Sequence, residues 1–426
     1  MFFPLCLYSG WLMNDQVPSK VNVISAVFLV AGTCIGGGML ALPVATGLSG
    51  FFPSSVIMAL SWLMMTASAL LLLEVSLWME EGVHVITMTS RLLGRFGKGL
   101  SWILFLFISY ASLIAYGSGG GLLIANGIKA LFGMDLGQEI GCLFFFVFGL
   151  SFYLGNTVVG KVNAILFIAM VLSYVALVGM GVDEMKPELL LHKRWGTTLI
   201  ALPVLLTSFS FQTMVPSLTP YLKRHASSLK KAIIWGTTLT FVVYLVWQSI
   251  ILSIIPVEGE QGLIQLLIKG VPATEFLHEH VHGPFLAQVA QFFAFFALVT
   301  SFLGMGLGLY DFLSDGLHIK ERGWGSVFLT ALVIAPSYYL ATHYDRVFLV
   351  ALDATGGFGD AILNGIIPCL MVWVGRYRLG YKGLELLAGG KTSLALVLLF
   401  YVLTVIFVLL MQFNIVTSIF NVHETL

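Results

Sequence analysis

Two stretches rich in glycine and proline, each inside a long apolar segment, carry the residues best suited to holding a small charged solute. The first, Ala31 to Pro43 (A-G-T-C-I-G-G-G-M-L-A-L-P), sets Thr33, Gly36, Gly37 and Gly38 where a membrane-crossing helix should be continuous. The second, Ala201 to Tyr221 (A-L-P-V-L-L-T-S-F-S-F-Q-T-M-V-P-S-L-T-P-Y), combines Pro203, Pro216 and Pro220 with a polar and aromatic centre at Thr207 to Thr213. Irregular backbone at membrane depth survives only where protein or a water-filled cavity surrounds it, because unpaired amides are costly in hydrocarbon. A helix broken there leaves unpaired amides at the start of its second half and unpaired carbonyls at the end of its first half. Amides near Gly37 and Gly38 would face a carboxylate, with glycine letting the ligand touch backbone. Carbonyls near Ser208 and Phe209 would accept an ammonium. The backbone of an amino acid fits both poles.

Other groups could shape or energise such a site. Phe209 and Phe211 flank Ser210, and Tyr110 and Tyr116 stand beside Gly117-Ser-Gly-Gly-Gly121. Aromatic rings around a cavity suit a large flat substrate, each pair adding about 0.5–1.5 kcal/mol beyond area burial; among 33 phenylalanines, ordinary packing is the competing reading. Ionisable groups at depth are functional hypotheses by default. Glu74 and Asp311 fall toward the ends of their segments, where pairing with a nearby lysine or arginine is the alternative. Asp360, in A-T-G-G-F-G-D-A-I-L-N-G, lies nearer mid-segment and suits a proton relay or a gate. Thr300 and Ser301 offer hydroxyls that could coordinate sodium with carbonyls of the first segment. Alternatively, the Lys161 ammonium could take that position, unless it snorkels to the interface. His278, His280 and His282 have a spacing that could bind zinc on a strand, against the plainer reading of a solvated loop. Cys6, Cys34, Cys142 and Cys369 are scattered and read as small buried hydrophobes. Nothing in the sequence resembles a P-loop, a G-x-S-x-G elbow, H-E-x-x-H or an ATPase signature. Neither an enzyme nor a cofactor is expected, and transport energy must come from a gradient.

The elements that position these residues are membrane helices. Of the 426 residues, 58% are hydrophobic and 10% charged, and the mean hydropathy is +0.96, a balance that leaves a soluble protein too little polar surface. The lipid bilayer is therefore a partner, and a formal net charge of zero gives no basic face for nucleic acid. A spanning helix needs about 20 mainly apolar residues. Eleven runs qualify: 22–47, 51–79, 99–128, 140–156, 162–182, 196–221, 231–255, 285–314, 325–341, 346–375 and 393–419. Residues 1–21 read as a cytoplasmic tail, since no positive residue precedes their apolar patch as a signal peptide requires. With the amino terminus inside, fifteen lysines and arginines fall on the inner loops and six on the outer. That split favours a cytoplasmic amino terminus and an outside carboxyl terminus. The two interrupted segments are the first and the sixth, which cross in opposite directions. The expected architecture is an all-α membrane protein with an inverted five-plus-five repeat, 22–182 and 196–375, whose first and sixth helices are broken, and an extra span at 393–419.

Taken together, 31–43, L-P-V-L-L-T-S-F-S-F-Q-T-M-V-P-S (202–217) and T-S-F-L-G-M-G-L-G-L-Y-D-F-L (300–313) resemble the bacterial tyrosine/tryptophan permeases, the hydroxy and aromatic amino acid permeases of the amino acid-polyamine-organocation superfamily. The resemblance implies the leucine-transporter type of fold, proton-coupled import of tyrosine or tryptophan, and the bacterial inner membrane. A sodium-coupled or broader neutral amino acid carrier is the alternative. Carried over by position, the substrate backbone would meet Thr33, Gly36, Gly37 and Gly38, together with Ser208, Phe209, Phe211 and Gln212; Tyr116, from the aromatic grouping above, is the further substrate-site candidate. Lys161, Thr300, Ser301, Asp311 and Asp360 are the candidates for ion coupling or gating. The chain departs from the expected T-S-F-G-F-H at 207–212, with Ser210 for glycine and Gln212 for histidine. Gln212 cannot titrate, which leaves a proton role at that position without support.

Overall fold

The computed structural model of the chain describes residues 20–80, 83–133, 141–153, 156–281, 284–320, 322–344, 346–381 and 385–416. All regular structure among them is helical. The first apolar segment forms α1 (Lys20–Cys34) and α2 (Gly37–Thr46), with a bend of 56° between them. There follow α3 (Phe51–Trp78), α4 (Val85–Phe132), α5 (Gly141–Tyr153) and α6 (Asn156–Gly181). The sixth segment is a 3₁₀ run at Trp195–Ala201, α7 (Leu202–Ser208), a 3₁₀ turn at Gln212–Met214 and α8 (Val215–Tyr221). Beyond it lie α9 (Ala226–Ile254), α10 (Leu263–Lys269), α11 (Pro284–Leu317) and α12 (Trp324–His343). The tenth segment is α13 (Val347–Ala354), a π-helix at Thr355–Ile366 and α14 (Ile367–Tyr377), and α15 (Gly390–Gln412) follows.

Among the described residues nine helices are long and apolar enough to cross a membrane, or ten if the bent α1–α2 pair is one span. The difference from eleven lies at 140–156. There α5 runs for 13 residues, short of a span, and its neighbours at 134–140 and 154–155 lie outside the described residues, as do 1–19 and 417–426. Helix ends follow the glycines. Gly50 has φ 80° at the start of α3, and a Cβ there would collide with the His192 carbonyl, so the turn demands glycine twice over. Gly94, at φ 73° and ψ −161°, kinks α4 and separates its first turns from the span.

Helix association in lipid rests on close van der Waals approach, for which small residues make room. Here aromatic side chains fill glycine notches: Phe144 and Phe145 of α5 lie against Gly120 and Gly117 of α4, Phe152 against Gly306 of α11, and Trp78 of α3 against Gly375 of α14. One ion pair crosses the same α3–α14 contact. Arg376 Nε and Nη2 donate to Glu74 Oε1 and Oε2, each at 2.6 Å, and the backbone amide of Leu386 donates to Oε2 at 3.2 Å. Both side chains are buried, 6% and 4% exposed. The acid is thus the partner of a nearby arginine, the plainer of its two sequence readings. The π-helix is the element that periodicity did not reveal. Such helices are rare and usually a single turn, whereas this one runs 12 residues. Its glycines press the widened backbone onto neighbours: Gly356 onto the Pro203 carbonyl, Gly359 onto Ile108 and Gly365 onto the Tyr401 ring.

Candidate binding site at two helix breaks

The first break spans Ile35 and Gly36. Gly36 is extended, at φ −171° and ψ −149°, a conformation open to any residue; an added Cβ would stand where the Ser301 hydroxyl is and would force it to turn away. The amide of Gly37, the first residue of α2, donates to Ser301 Oγ at 3.0 Å. A Cβ on Gly37 would lie 2.5 Å from Tyr116 Cδ1 and Cε1, and one on Gly38 3.2 Å from Ser208 Cα. The positive end of α2 is therefore enclosed by α4, α7 and α11.

The second break begins after Ser208, the last residue of α7. Phe209 is fully buried, with its ring edge-on to Tyr244 at 5.0 Å. Gln212, also fully buried, holds the far side of the break: its Oε1 accepts from the Phe211 amide at 2.9 Å, and its Nε2 donates to the Met65 carbonyl at 3.1 Å. Between them Ser210 donates to Asp360 Oδ1 at 2.7 Å. Asn364 Nδ2 donates to the same oxygen at 2.6 Å. Asp360 is fully buried, and its Oδ2 has no hydrogen-bond partner among the described residues. The two breaks meet where Gly38 faces Ser208.

Residues 19–408 match the sequence model of the tryptophan/tyrosine permease family. The chain belongs to that family. A tryptophan-specific transport protein of Haemophilus influenzae is 27% identical over 408 residues, covering 93% of this chain and 96% of its own. A tyrosine-specific transport system 1 of the same organism is 30% identical over 398 residues, covering 90% and 95%. A low affinity tryptophan permease of Escherichia coli is 28% identical over 403 residues, covering 91% and 95%. The chain is thus a multi-pass membrane transport protein and not an enzyme, with bacterial relatives.

In this permease the remaining candidates separate. Gly36, Gly37, Gly38, Tyr116, Ser208, Phe209 and Ser301 converge on the two breaks, with Phe211 and Gln212 buried beside them. Thr33 is exposed, donates to the Leu29 carbonyl at 2.8 Å and lies 2.9 Å from Met214 Sδ. Thr300 turns its hydroxyl back onto the Phe296 and Ala297 carbonyls of its own helix, at 2.8 and 3.2 Å. Lys161 is exposed. The Thr300 hydroxyl meets Met170 Sδ of α6 at 3.9 Å, nine residues and about 14 Å of helix rise beyond Lys161. Asp311 is half-buried ten residues past Ser301 on α11, about 15 Å along the axis. Tyr110 donates to the Leu332 carbonyl at 2.9 Å, tying α4 to α12. His280 Nε2 meets the Gln261 carbonyl at 2.9 Å; His282 and the His278 side chain lie outside the described residues.

Two groups escaped the sequence reading. Tyr244 of α9 places its hydroxyl 2.7 Å from the Cys34 carbonyl and 2.7 Å from the Ser208 carbonyl. A signal existed: Tyr244, Trp247 and Gln248 are three and four residues apart, one helix face. That face lies along the first segment, with Trp247 Nε1 donating to the Met39 carbonyl at 3.0 Å and Gln248 to Thr46 Oγ1. The second is Asp353, an acid inside the apolar run V-F-L-V-A-L-D-A, whose Oδ1 is buried with no partner among the described residues. Separately, a cleft of about 80 Å³ is lined by Gly117, Gly119, Phe145, Lys269, Arg346 and Phe348, among others. Tyr116 closes on Gly37, while its neighbour Gly117 lines this cleft.

Proposed function

We propose that this permease is a secondary active importer of aromatic amino acids, tyrosine or tryptophan or both, driven by proton symport across the bacterial inner membrane. It works by alternating access between two inverted five-helix halves, with eleven spans and a cytoplasmic amino terminus. The observation that carries the reading is the meeting of the two breaks, where an added Cβ on Gly38 would stand 3.2 Å from Ser208 Cα. The amide end of α2 and the carbonyl end of α7 are then presented to one small solute. A carboxylate is favoured at the first and an ammonium at the second. Buried Phe209 and Phe211 supply apolar surface for a ring. The specificities that name the relatives, tryptophan for some and tyrosine for others, support the aromatic class without choosing within it.

Asp360 is the residue to which we assign the coupled proton. One oxygen accepts two hydrogen bonds and the other none, so a proton on Oδ2 removes a buried charge that the surroundings compensate on one side only. Ser210, the donor to Asp360, lies inside the second break, so a shift of that break changes the carboxyl's surroundings. Uptake of labelled tyrosine, tryptophan, phenylalanine and leucine into proteoliposomes under imposed proton or sodium gradients tests substrate and coupling together. An inward proton gradient should drive accumulation of tyrosine or tryptophan. Strong stimulation by sodium with none by protons would refute the coupling assignment, and equal uptake of leucine would refute the aromatic one.

A further inference from the structure

We propose that Tyr244 forms the ammonium pole of the site, its hydroxyl gathering the carbonyl ends of both interrupted helices onto one point that the α-amino group of the substrate completes. The proposal rests on the amino acid reading above and deepens it. Cys34 and Ser208 are the last residues of α1 and α7. Their carbonyls meet at a single phenol, each 2.7 Å from the Tyr244 oxygen.

 The separations along the chain are 210 residues from Cys34 to Tyr244 and 36 from Ser208 to Tyr244.

A phenol carries one hydrogen, so it donates to one of these carbonyls at a time. The other then faces an oxygen lone pair at hydrogen-bonding distance, and the trio needs one more donor group. Both carbonyls are negative ends of helical runs, and Tyr244 is fully buried, so solvent does not screen them. A primary ammonium has three N–H donors. It satisfies the Cys34 carbonyl, the Ser208 carbonyl and the Tyr244 oxygen together, while the phenol keeps its own hydrogen on a second lone pair of one carbonyl. The Phe209 ring, edge-on to Tyr244 at 5.0 Å, fixes the phenol's orientation. Sodium would meet the same three oxygens, and the substrate's own ammonium takes its place.

The test measures binding to the full-length protein in lipid nanodiscs. Ligands are L-tryptophan, L-tyrosine and their des-amino analogues, indole-3-propionate and 3-(4-hydroxyphenyl)propionate, with and without sodium. Wild type should bind each amino acid at least tenfold more tightly than its analogue. Tyr244→Phe should lose about 10- to 100-fold for the amino acids, the range of a hydrogen bond to a charged group, and less than twofold for the analogues. Trp247→Phe, which also loses a bond to the first segment, should weaken both ligand classes alike. Equal binding of analogue and amino acid by wild type overturns the proposal without need of a variant. So does a Tyr244→Phe effect that falls equally on both classes, or amino acid binding that requires sodium. Should wild type bind neither aromatic amino acid, the other L-amino acids and their des-amino forms replace them: a preference for one of these, lost in Tyr244→Phe, sinks the aromatic reading and keeps the pole, and no binding sinks both.

Discussion

Replacing Gly37 by alanine tests whether the first break is a binding surface or a packing detail. The added methyl would stand 2.5 Å from Tyr116 Cδ1 and Cε1 and 3.2 Å from Leu298 Cδ2. Carbon atoms at optimal separation lie about 3.5–4.0 Å apart, so the tyrosine ring must retreat by about 1 Å. It has little room, being 8% exposed with Phe145 seated on the adjoining Gly117. Overpacking of this kind costs about 1–3 kcal/mol. If the ring moves into the space beside the α2 amides, the same sum reappears as a loss of about 5- to 150-fold in substrate affinity. Two readouts separate the effects, thermal unfolding for the packing strain and equilibrium binding of tryptophan and tyrosine for the site. Gly38→Ala, with its nearest atom at 3.2 Å, should be the milder of the two in stability. Tyr116→Leu combined with Gly37→Ala should recover part of the stability, because atoms in contact couple. Wild-type affinity in Gly37→Ala would refute the reasoning, as would strict additivity with Tyr116→Leu.

Three further outcomes are expected. Glu74→Gln leaves Arg376 buried with Glu385 at 3.7 Å as its remaining carboxylate; it should cost about 3–5 kcal/mol, seen as a lower unfolding midpoint that Glu74→Gln with Arg376→Gln largely restores. Asp360→Asn should cut proton-driven uptake at least tenfold, as about 1.4 kcal/mol on the barrier would, while substrate exchange stays within twofold; equal losses would remove the relay assignment. Ser301→Ala strips the acceptor from the Gly37 amide and should weaken binding by about fivefold, a hydrogen bond being worth about 1 kcal/mol, and an unchanged affinity would mean that the contact does not order the break.

The helix ends at the two breaks were legible because they are written in local chemistry. Clustered glycines and a polar, aromatic centre between prolines are poor helix interiors, so α2 begins at Gly37 and α7 ends at Ser208, as the punctuation implies. What depends on rotation about a helix was not legible. Thr300 and Ser301 are adjacent and chemically alike, yet 100° apart around α11; one hydroxyl reaches the Gly37 amide and the other folds back on its own helix. Lys161 is exposed, on the same helix as Met170, which meets Thr300, but nine residues before it. Tyr244 was hidden because its meaning comes from two carbonyls distant in sequence, and nothing local to α9 names them.

The two departures from the expected T-S-F-G-F-H pattern acquire a joint meaning from the same contacts. Gln212 stands where a histidine is expected and has both ends of its amide engaged, by the Phe211 amide and the Met65 carbonyl; it braces the break and carries no proton. Two residues earlier, Ser210 stands for glycine and spends its new hydroxyl on Asp360. The break thereby gains a direct link to a buried carboxyl on the π-helix, and on the proposed proton coupling the titrating group belongs to the tenth segment and not to the sixth. The pair of changes makes this argument testable as a unit: Ser210→Gly should loosen the hold of the break on Asp360 and uncouple proton flow from uptake, whereas Gln212→His, if position 212 is only a brace, should restore no coupling lost in Asp360→Asn. Recovery of proton-driven uptake in the Gln212→His, Asp360→Asn double variant would place the proton at the sixth segment and overturn the assignment.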